Sequence, residues 1–190
     1  MTRIIGGAAG GRRIDTPRGA TTRPTTDRVR EALFSAIESW CGSLSGLRFL
    51  DLYAGSGAVG LEAWSRGAGI VTFVEQDRRT ARLVTINAES IGFTAANVLA
   101  LPVERVLSRG PAAPPYDVVF SDPPYDTSAA QVRADLDLLL ANDWVVPHAL
   151  VILERSARGT PLEWPPGIEP RTHKRYGETS LWYGHAAPGS

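Results

Sequence analysis

Asp51-Leu52-Tyr53-Ala54-Gly55-Ser56-Gly57-Ala58-Val59-Gly60 is the stretch that decides the fold. The apolar run Leu47–Tyr53 leads into it, and a helical run from about Ala58 to Arg66 leads out. Glycines at 55 and 57 let a strand turn sharply into a helix and let the backbone approach a ligand closely. Gly55-Ser56-Gly57-Ala58-Val59-Gly60 also matches the G-x-G-x-x-G pattern. Alone the match is weak, because a plain tight β-to-α turn uses glycine in the same way.

Outward from this loop, strand and helix alternate. Ile70–Val74 reads as a strand and Asp77–Ile91 as a helix stopped by Gly92. Val98–Leu101 is a third strand, followed by a short helix opened by Pro102. Asp117–Ser121 is the fourth strand, Ser128–Ala141 a helix, and Leu150–Leu153 the fifth strand. Two extended runs, Ile168–Tyr176 and Ser180–His185, flank Gly177 and must pair antiparallel if they pair. This alternation predicts an α/β, Rossmann-like parallel sheet covered on both faces. Ligands in such sheets bind outside the carboxyl ends of the strands, which puts loops 54–58, 75–77 and 122–126 on one rim.

Upstream, the first 25 residues read as an arm or small hairpin around Gly6-Gly7 and Gly10-Gly11. A helix over Asp27 to Cys41 follows, with Val29, Leu33, Ala36, Ile37 and Trp40 on one apolar face. Two units are expected: residues 1–45, a basic arm and helix, and residues 46–190, the α/β domain.

Composition excludes several classes. A chain of 190 residues can bury about 70% of its unfolded surface, so no staple is needed. Cys41 is the only cysteine, which excludes an internal disulfide and a Cys-rich zinc site. It lies at the end of the first helix, outside the rim loops, which argues against covalent attack on a cytosine ring. No apolar run approaches the ~20 residues of a membrane span, and the Gly-rich start lacks a signal-peptide core. A cytoplasmic, non-membrane protein is expected. Net charge is +0, yet residues 1–30 hold seven arginines against Asp15 and Asp27. A basic arm on an acidic body is a candidate polyanion contact, and a solvated tail is the plainer reading.

Glu75 closes the second strand and can accept hydrogen bonds from both hydroxyls of a ribose. Both NAD and S-adenosylmethionine (SAM) carry one. Asp51 beside the glycines repels a pyrophosphate but suits the cationic amine and sulfonium of SAM. Asp122-Pro123-Pro124-Tyr125 follows the fourth strand. An exocyclic base amine is a poor nucleophile, because its lone pair is delocalised into the ring. Asp122 can accept one N–H and a carbonyl in the Pro123 turn a second, which frees the lone pair. The prolines pre-aim the carbonyls, and Tyr125 offers a face for an extruded base. Alignment with a sulfonium methyl then supplies most of the catalysis. An NAD-linked dehydrogenase leaves Asp-Pro-Pro-Tyr without a purpose.

The chain resembles the RsmD family of SAM-dependent methyltransferases, which methylate guanine N2 in bacterial 16S ribosomal RNA. The resemblance rests on Arg3-Ile4-Ile5-Gly6-Gly7, on Arg23-Pro24-Thr25-Thr26-Asp27-Arg28-Val29-Arg30-Glu31-Ala32-Leu33-Phe34, on Asp51–Gly60 with Leu61-Glu62-Ala63, on Asp122–Tyr125, and on Tyr176-Gly177-Glu178-Thr179. It implies a seven-stranded methyltransferase sheet. It implies SAM held around Asp51, Tyr53, Ala54, Gly55, Ser56 and Gly57 with Glu75 and Gln76. It implies RNA approaching over Asp122, Pro123, Pro124 and Tyr125. Val98–Pro102 carries no acidic residue, so no adenine anchor is assigned.

For the RNA, Arg3, Arg12, Arg13, Arg23, Thr25, Thr26, Arg28 and Arg30 are the candidate contacts. A helix cap with solvent-exposed arginines is the competing reading of that segment. Lys174 and Arg175 either extend the basic surface or are edge-strand charges. No His spacing points to a metal. The expected partner is 16S rRNA, within a small-subunit ribonucleoprotein, met by a monomer. The alternatives are a DNA amino-methyltransferase acting on adenine N6 or cytosine N4, and a non-catalytic SAM-bound RNA-binding or assembly protein.

Overall fold

The computed structural model describes residues 1–19 and 25–189. Apolar strands and amphipathic helices alternate as β1 (Thr2–Arg3), β2 (Arg13–Ile14), α1 (Asp27–Cys41), β3 (Arg48–Leu52), α2 (Ala58–Ser65), β4 (Ile70–Val74), α3 (Arg78–Ser90), β5 (Asn97–Leu99), α4 (Val103–Leu107), β6 (Tyr116–Ser121), α5 (Ala129–Ala141), β7 (Val145–Ser156), β8 (Ile168–Tyr176) and β9 (Thr179–Ala186). The main sheet runs β5-β4-β3-β6-β7-β9-β8. The first five strands of that order are parallel, and β9 is antiparallel to both β7 and β8. Strand order reverses between β3 and β6, so the crevice beyond their carboxyl ends is the switch point.

Two apolar layers sandwich the sheet. Leu33, Phe34 and Ile37 of α1 pack with Phe49, Phe73 and Ile152 on one face, together with Ile4 and Ile14 of the N-terminal hairpin. Val106 of α4 and Leu136 and Leu139 of α5 pack with Leu52, Val119 and Val151 on the other. Parallel strands buried on both faces read as continuous apolar runs, which is why they were legible.

The strand expected over Leu150–Leu153 is in fact β7, Val145–Ser156. Pro147 disguises its beginning, and a register shift between Tyr116 and Val118 of β6 absorbs the irregularity. Its far end is extended by pairing with β9, up to Ser156↔Thr179. Asp77 sits one residue before α3 as its cap, accepting the Thr80 N–H at 2.8 Å. No helix among the described residues is long and apolar enough to cross a membrane.

Candidate active site

The glycine loop leaves β3 at Tyr53, whose φ of 57° lies in the left-handed region. A non-glycine residue there is strained and marks a site the surroundings hold in place. The Tyr53 hydroxyl donates to Asp135 of α5. Its ring is therefore committed to the protein, and only its backbone belongs to the loop. Ala54 N–H donates to Val74 O at 3.0 Å, tying the loop to β4. Gly57 caps α2 with φ 81°, where a side chain would also meet Val84 at 2.9 Å. Gly60 is a packing glycine: a Cβ there would lie 2.3 Å from the Phe73 ring. Gly55 is the opposite case. It has φ 56° and open space where a side chain would be, which leaves the backbone accessible to a ligand.

Glu75 stands beside this opening. Its Oε2 accepts the Gly55 N–H at 3.0 Å, and its Oε1 accepts the Asp77 N–H at 2.9 Å. Each oxygen keeps a second acceptor direction. Gln76 follows, exposed on the same rim. Asp51 is 1% exposed, and its Oδ2 accepts the Gly60 N–H at 2.9 Å. Burial lifts its pKa well above the usual carboxylate range, the Gly60 bond opposes the shift, and the Glu75 charge adds to it. Asp51 thus fixes the loop from beneath. Ser56 is held through its carbonyl, which accepts from Asn87 Nδ2 at 3.0 Å. Asn87 also exchanges two hydrogen bonds with the Asp15 backbone, so one buried amide joins the N-terminal segment, α3 and the loop.

Asp122 directly follows β6, with its N–H donated to Leu52 O at 3.3 Å. Among the described residues its carboxylate accepts no hydrogen bond. Burial raises its pKa well above the usual range; the Glu154 and Asp51 charges raise it further, while Arg155 lowers it. Pro124 O accepts the Thr127 N–H at 2.9 Å, which closes the turn. The Pro123 carbonyl has no such partner among the described residues and remains available. Tyr125 is 80% exposed, a large aromatic face with no protein to pack on. Arg155 Nη2 donates to Thr127 O at 2.9 Å and steadies the loop from β7.

No local sequence pattern marks Glu154 as a site residue. It ends the buried part of β7, and register Ser121↔Leu153 sets it beside Asp122. Its Oε2 accepts from Thr25 Oγ1 at 2.7 Å, so the segment before α1 reaches the rim. Burial raises its pKa, and the Thr25 bond opposes this.

The expected RNA contacts divide. Thr26 caps α1, accepting the Val29 N–H at 3.3 Å. Arg30 is a correction: its side chain is fully buried, and Nη2 donates to Arg3 O at 2.6 Å and to Asp27 Oδ1 at 2.9 Å. It ties α1 to β1 and presents nothing to a solvent-borne partner. Arg3 is exposed and pairs with Asp27 at 3.2 Å, and Arg12 is exposed and reaches Ser90 O. Arg13 and Arg28 are exposed. Arg23 lies outside the described residues.

The fold is that of the α/β methyltransferases: the chain matches SAM-bound magnesium protoporphyrin IX methyltransferase from Synechocystis with TM-score 0.64, at 12% identity over 90% of this chain and 89% of that one. A family model described as Conserved hypothetical protein 95 matches residues 2–185. Ribosomal RNA small subunit methyltransferase D of Escherichia coli K12 is 34% identical over 167 residues, covering 85% of this chain and 80% of the relative. The solved structure of Escherichia coli yhhF matches with TM-score 0.84 and 29% identity, over 99% of each chain. The chain belongs to this family, the RsmD family.

Proposed function

We propose that this protein transfers a methyl group from SAM to the exocyclic N2 amine of a guanine in 16S ribosomal RNA, presented by a small-subunit ribonucleoprotein. The observation that carries the reading is the Asp122 carboxylate, free of protein hydrogen bonds among the described residues, at the carboxyl end of β6 and across the switch point from Glu75 and Gly55. The donor set fits SAM. Glu75 has two acceptor directions for ribose hydroxyls, Gly55 offers an open backbone, and Asp51 adds negative charge behind a cationic ligand.

SAM, when bound, supplies an electrophilic methyl on a sulfonium. The chain's own residues do the rest. Asp122 Oδ and the Pro123 carbonyl each accept one amine N–H, which restores the nitrogen lone pair. Tyr125 stacks on the extruded base. The Asp122 carboxylate takes the proton the amine must lose, and its raised pKa makes it the better base for that step. Holding amine and methyl in line supplies most of the rate, as proximity catalysis. The exposed arginines Arg3, Arg12, Arg13 and Arg28, carried by residues 1–45, supply phosphate contacts that position the RNA.

The test offers isotope-labelled SAM with unmodified 16S RNA, small subunits and duplex DNA in parallel, followed by nucleoside mass spectrometry. Label in N2-methylguanosine is expected, and Asp122→Ala should abolish it while leaving SAM affinity within about twofold. Label in a DNA base, or undiminished turnover by Asp122→Ala, overturns the reading.

A further inference from the structure

A long groove lies on the α1 side of the sheet, outside the switch point. Helix α1 begins at the rim, where Thr25 meets Glu154, and descends to Trp40, which sits edge-on to His185 with ring centroids 5.7 Å apart. Between α1 and the edge strand β8 is a hollow of about 480 Å³, walled by Ser35, Ser39, Arg171 and Lys174. A second hollow of about 300 Å³, walled by Thr26, Arg28, Arg175 and Gly177, continues it to the rim. Tyr176 lines both, so the two hollows adjoin; together they are the α1–β8 channel. Along β8 and the turn after it, the lining runs from Arg171 to Gly177, roughly 20 Å at about 3.3 Å per residue.

Its chemistry is one-sided. Arg28, Arg171, Lys174 and Arg175 line it, and neither hollow is lined by Asp or Glu, although the whole chain has net charge +0. Arg171 pairs with Glu169 on the exposed side, but Arg28, Lys174 and Arg175 form no ion pair among the described residues. The bulge between Pro170 and Thr172 turns β8 so that Arg171 and Lys174 both reach the channel. On α1, Ala32, Ser35, Ala36 and Ser39 are too small to fill it. At its floor Tyr183, 3% exposed, carries a hydroxyl with no hydrogen-bond partner among the described residues.

We infer that the α1–β8 channel holds the single-stranded RNA that flanks the target guanosine, its phosphates on Arg28, Arg171, Lys174 and Arg175. The inference rests on the RNA methyltransferase reading and names where the strand leaves the rim. A narrow cationic cleft beside hydroxyl and aromatic groups suits a single strand better than a duplex. The channel joins the rim at Thr26 and Gly177, next to the segment that contacts Glu154, so a strand leaving the active site enters it without a turn around the sheet.

The experiment compares Arg171→Ala/Lys174→Ala/Arg175→Ala with Arg105→Ala/Arg109→Ala, a control that removes two cations on the opposite face. RNA affinity is measured against salt with an unmodified 16S fragment, beside SAM affinity and methyl transfer to small subunits. The channel variant should lose about tenfold or more in RNA affinity at moderate salt. Its log–log salt slope should flatten by about 2, at roughly 0.7 for each lost phosphate contact. SAM affinity and Tm should be unchanged, and the control should match the parent. A channel variant that binds RNA with the parental slope, while the parent methylates RNA, overturns the channel and leaves the methyltransferase reading intact. Loss of binding to a ribosomal protein with naked RNA binding unchanged also overturns it, in favour of a protein partner. A parent that labels no RNA removes the reading on which the channel rests.

Discussion

Glu75 bridges two backbone N–H groups, Gly55 and Asp77, one with each carboxylate oxygen. It therefore holds the glycine loop against the start of α3 before any ligand arrives, and the remaining acceptor directions are pre-aimed. Hydrogen bonds to a charged acceptor contribute about 1.5–3 kcal/mol each. Glu75→Ala should therefore raise the SAM dissociation constant by at least tenfold, read by calorimetry, with Glu75→Gln intermediate because one acceptor oxygen survives. An unchanged constant in Glu75→Ala would remove the ribose role. This residue was legible because an acid closing the second strand is a local pattern. Glu154 is the same kind of residue, closing the buried part of β7, but its partner Thr25 lies 129 positions away and no local spacing announces it. Asp51 was legible as an acid beside glycines, whereas its bond to the Gly60 N–H needed the three-dimensional loop.

Helix α2 anchors the N-terminal hairpin through Glu62 and Ser65, the latter accepting from Ala9 N at 2.9 Å and donating to Gly6 O at 2.6 Å. Glu62 is fully buried, and its oxygens accept from Ile5 N at 2.8 Å, Gly6 N at 2.8 Å and Arg66 Nε at 2.9 Å. Gly7 fits only as glycine, because a Cβ there would lie 1.9 Å from Ser65 O. Removing one partner of a buried ion pair costs about 3–5 kcal/mol, since the other charge is left uncompensated. Glu62→Ala should lower Tm by about 10 °C, at roughly 2–4 °C per kcal/mol for a chain of this length. A scanning-calorimetry shift below about 1 °C would show that the hairpin is held by other contacts. The elements themselves were legible, since apolar runs, 3.6-residue periodicity and glycine stops are local. Arg30 shows where that reading ends. It looks like a surface cation in the first turn of α1, yet the β1 backbone folds over it and its Nη2 meets Arg3 O. Burial lowers its pKa, with Glu62 and Asp27 opposing.

At the scale of the whole molecule, two charged regions adjoin among the described residues. Acids gather at the carboxyl ends of the parallel strands, and cations line the α1–β8 channel beside them. The acids carry a cost, because Asp51, Asp122 and Glu154 all have pKa values raised chiefly by burial. Buried acids at one rim thus destabilise the folded chain when they are charged, the usual tension between stability and function. In the unfolded chain these groups titrate near their ordinary values of about 3.9 for Asp and 4.3 for Glu. The folded state keeps their protons to higher pH, so it binds more protons throughout that window. Stability from these groups is therefore complete below about pH 4 and falls as pH rises through the raised folded values. Exposed Asp77, whose pKa its Thr80 bonds lower, acts in the opposite sense and is common to every variant compared. Asp122→Asn/Glu154→Gln keeps the shape, keeps an acceptor for Thr25 Oγ1 and removes both charges. Its Tm should exceed the parent's by several degrees at pH 8, and the gap should close toward pH 5, as the parental carboxyls take up their protons. A gap that is constant with pH would mean that neither carboxyl is shifted in the folded state. Saturating SAM should raise the parental Tm by mass action. It should also narrow the pH 8 gap, because the bound cation offsets the charge that the variant removes.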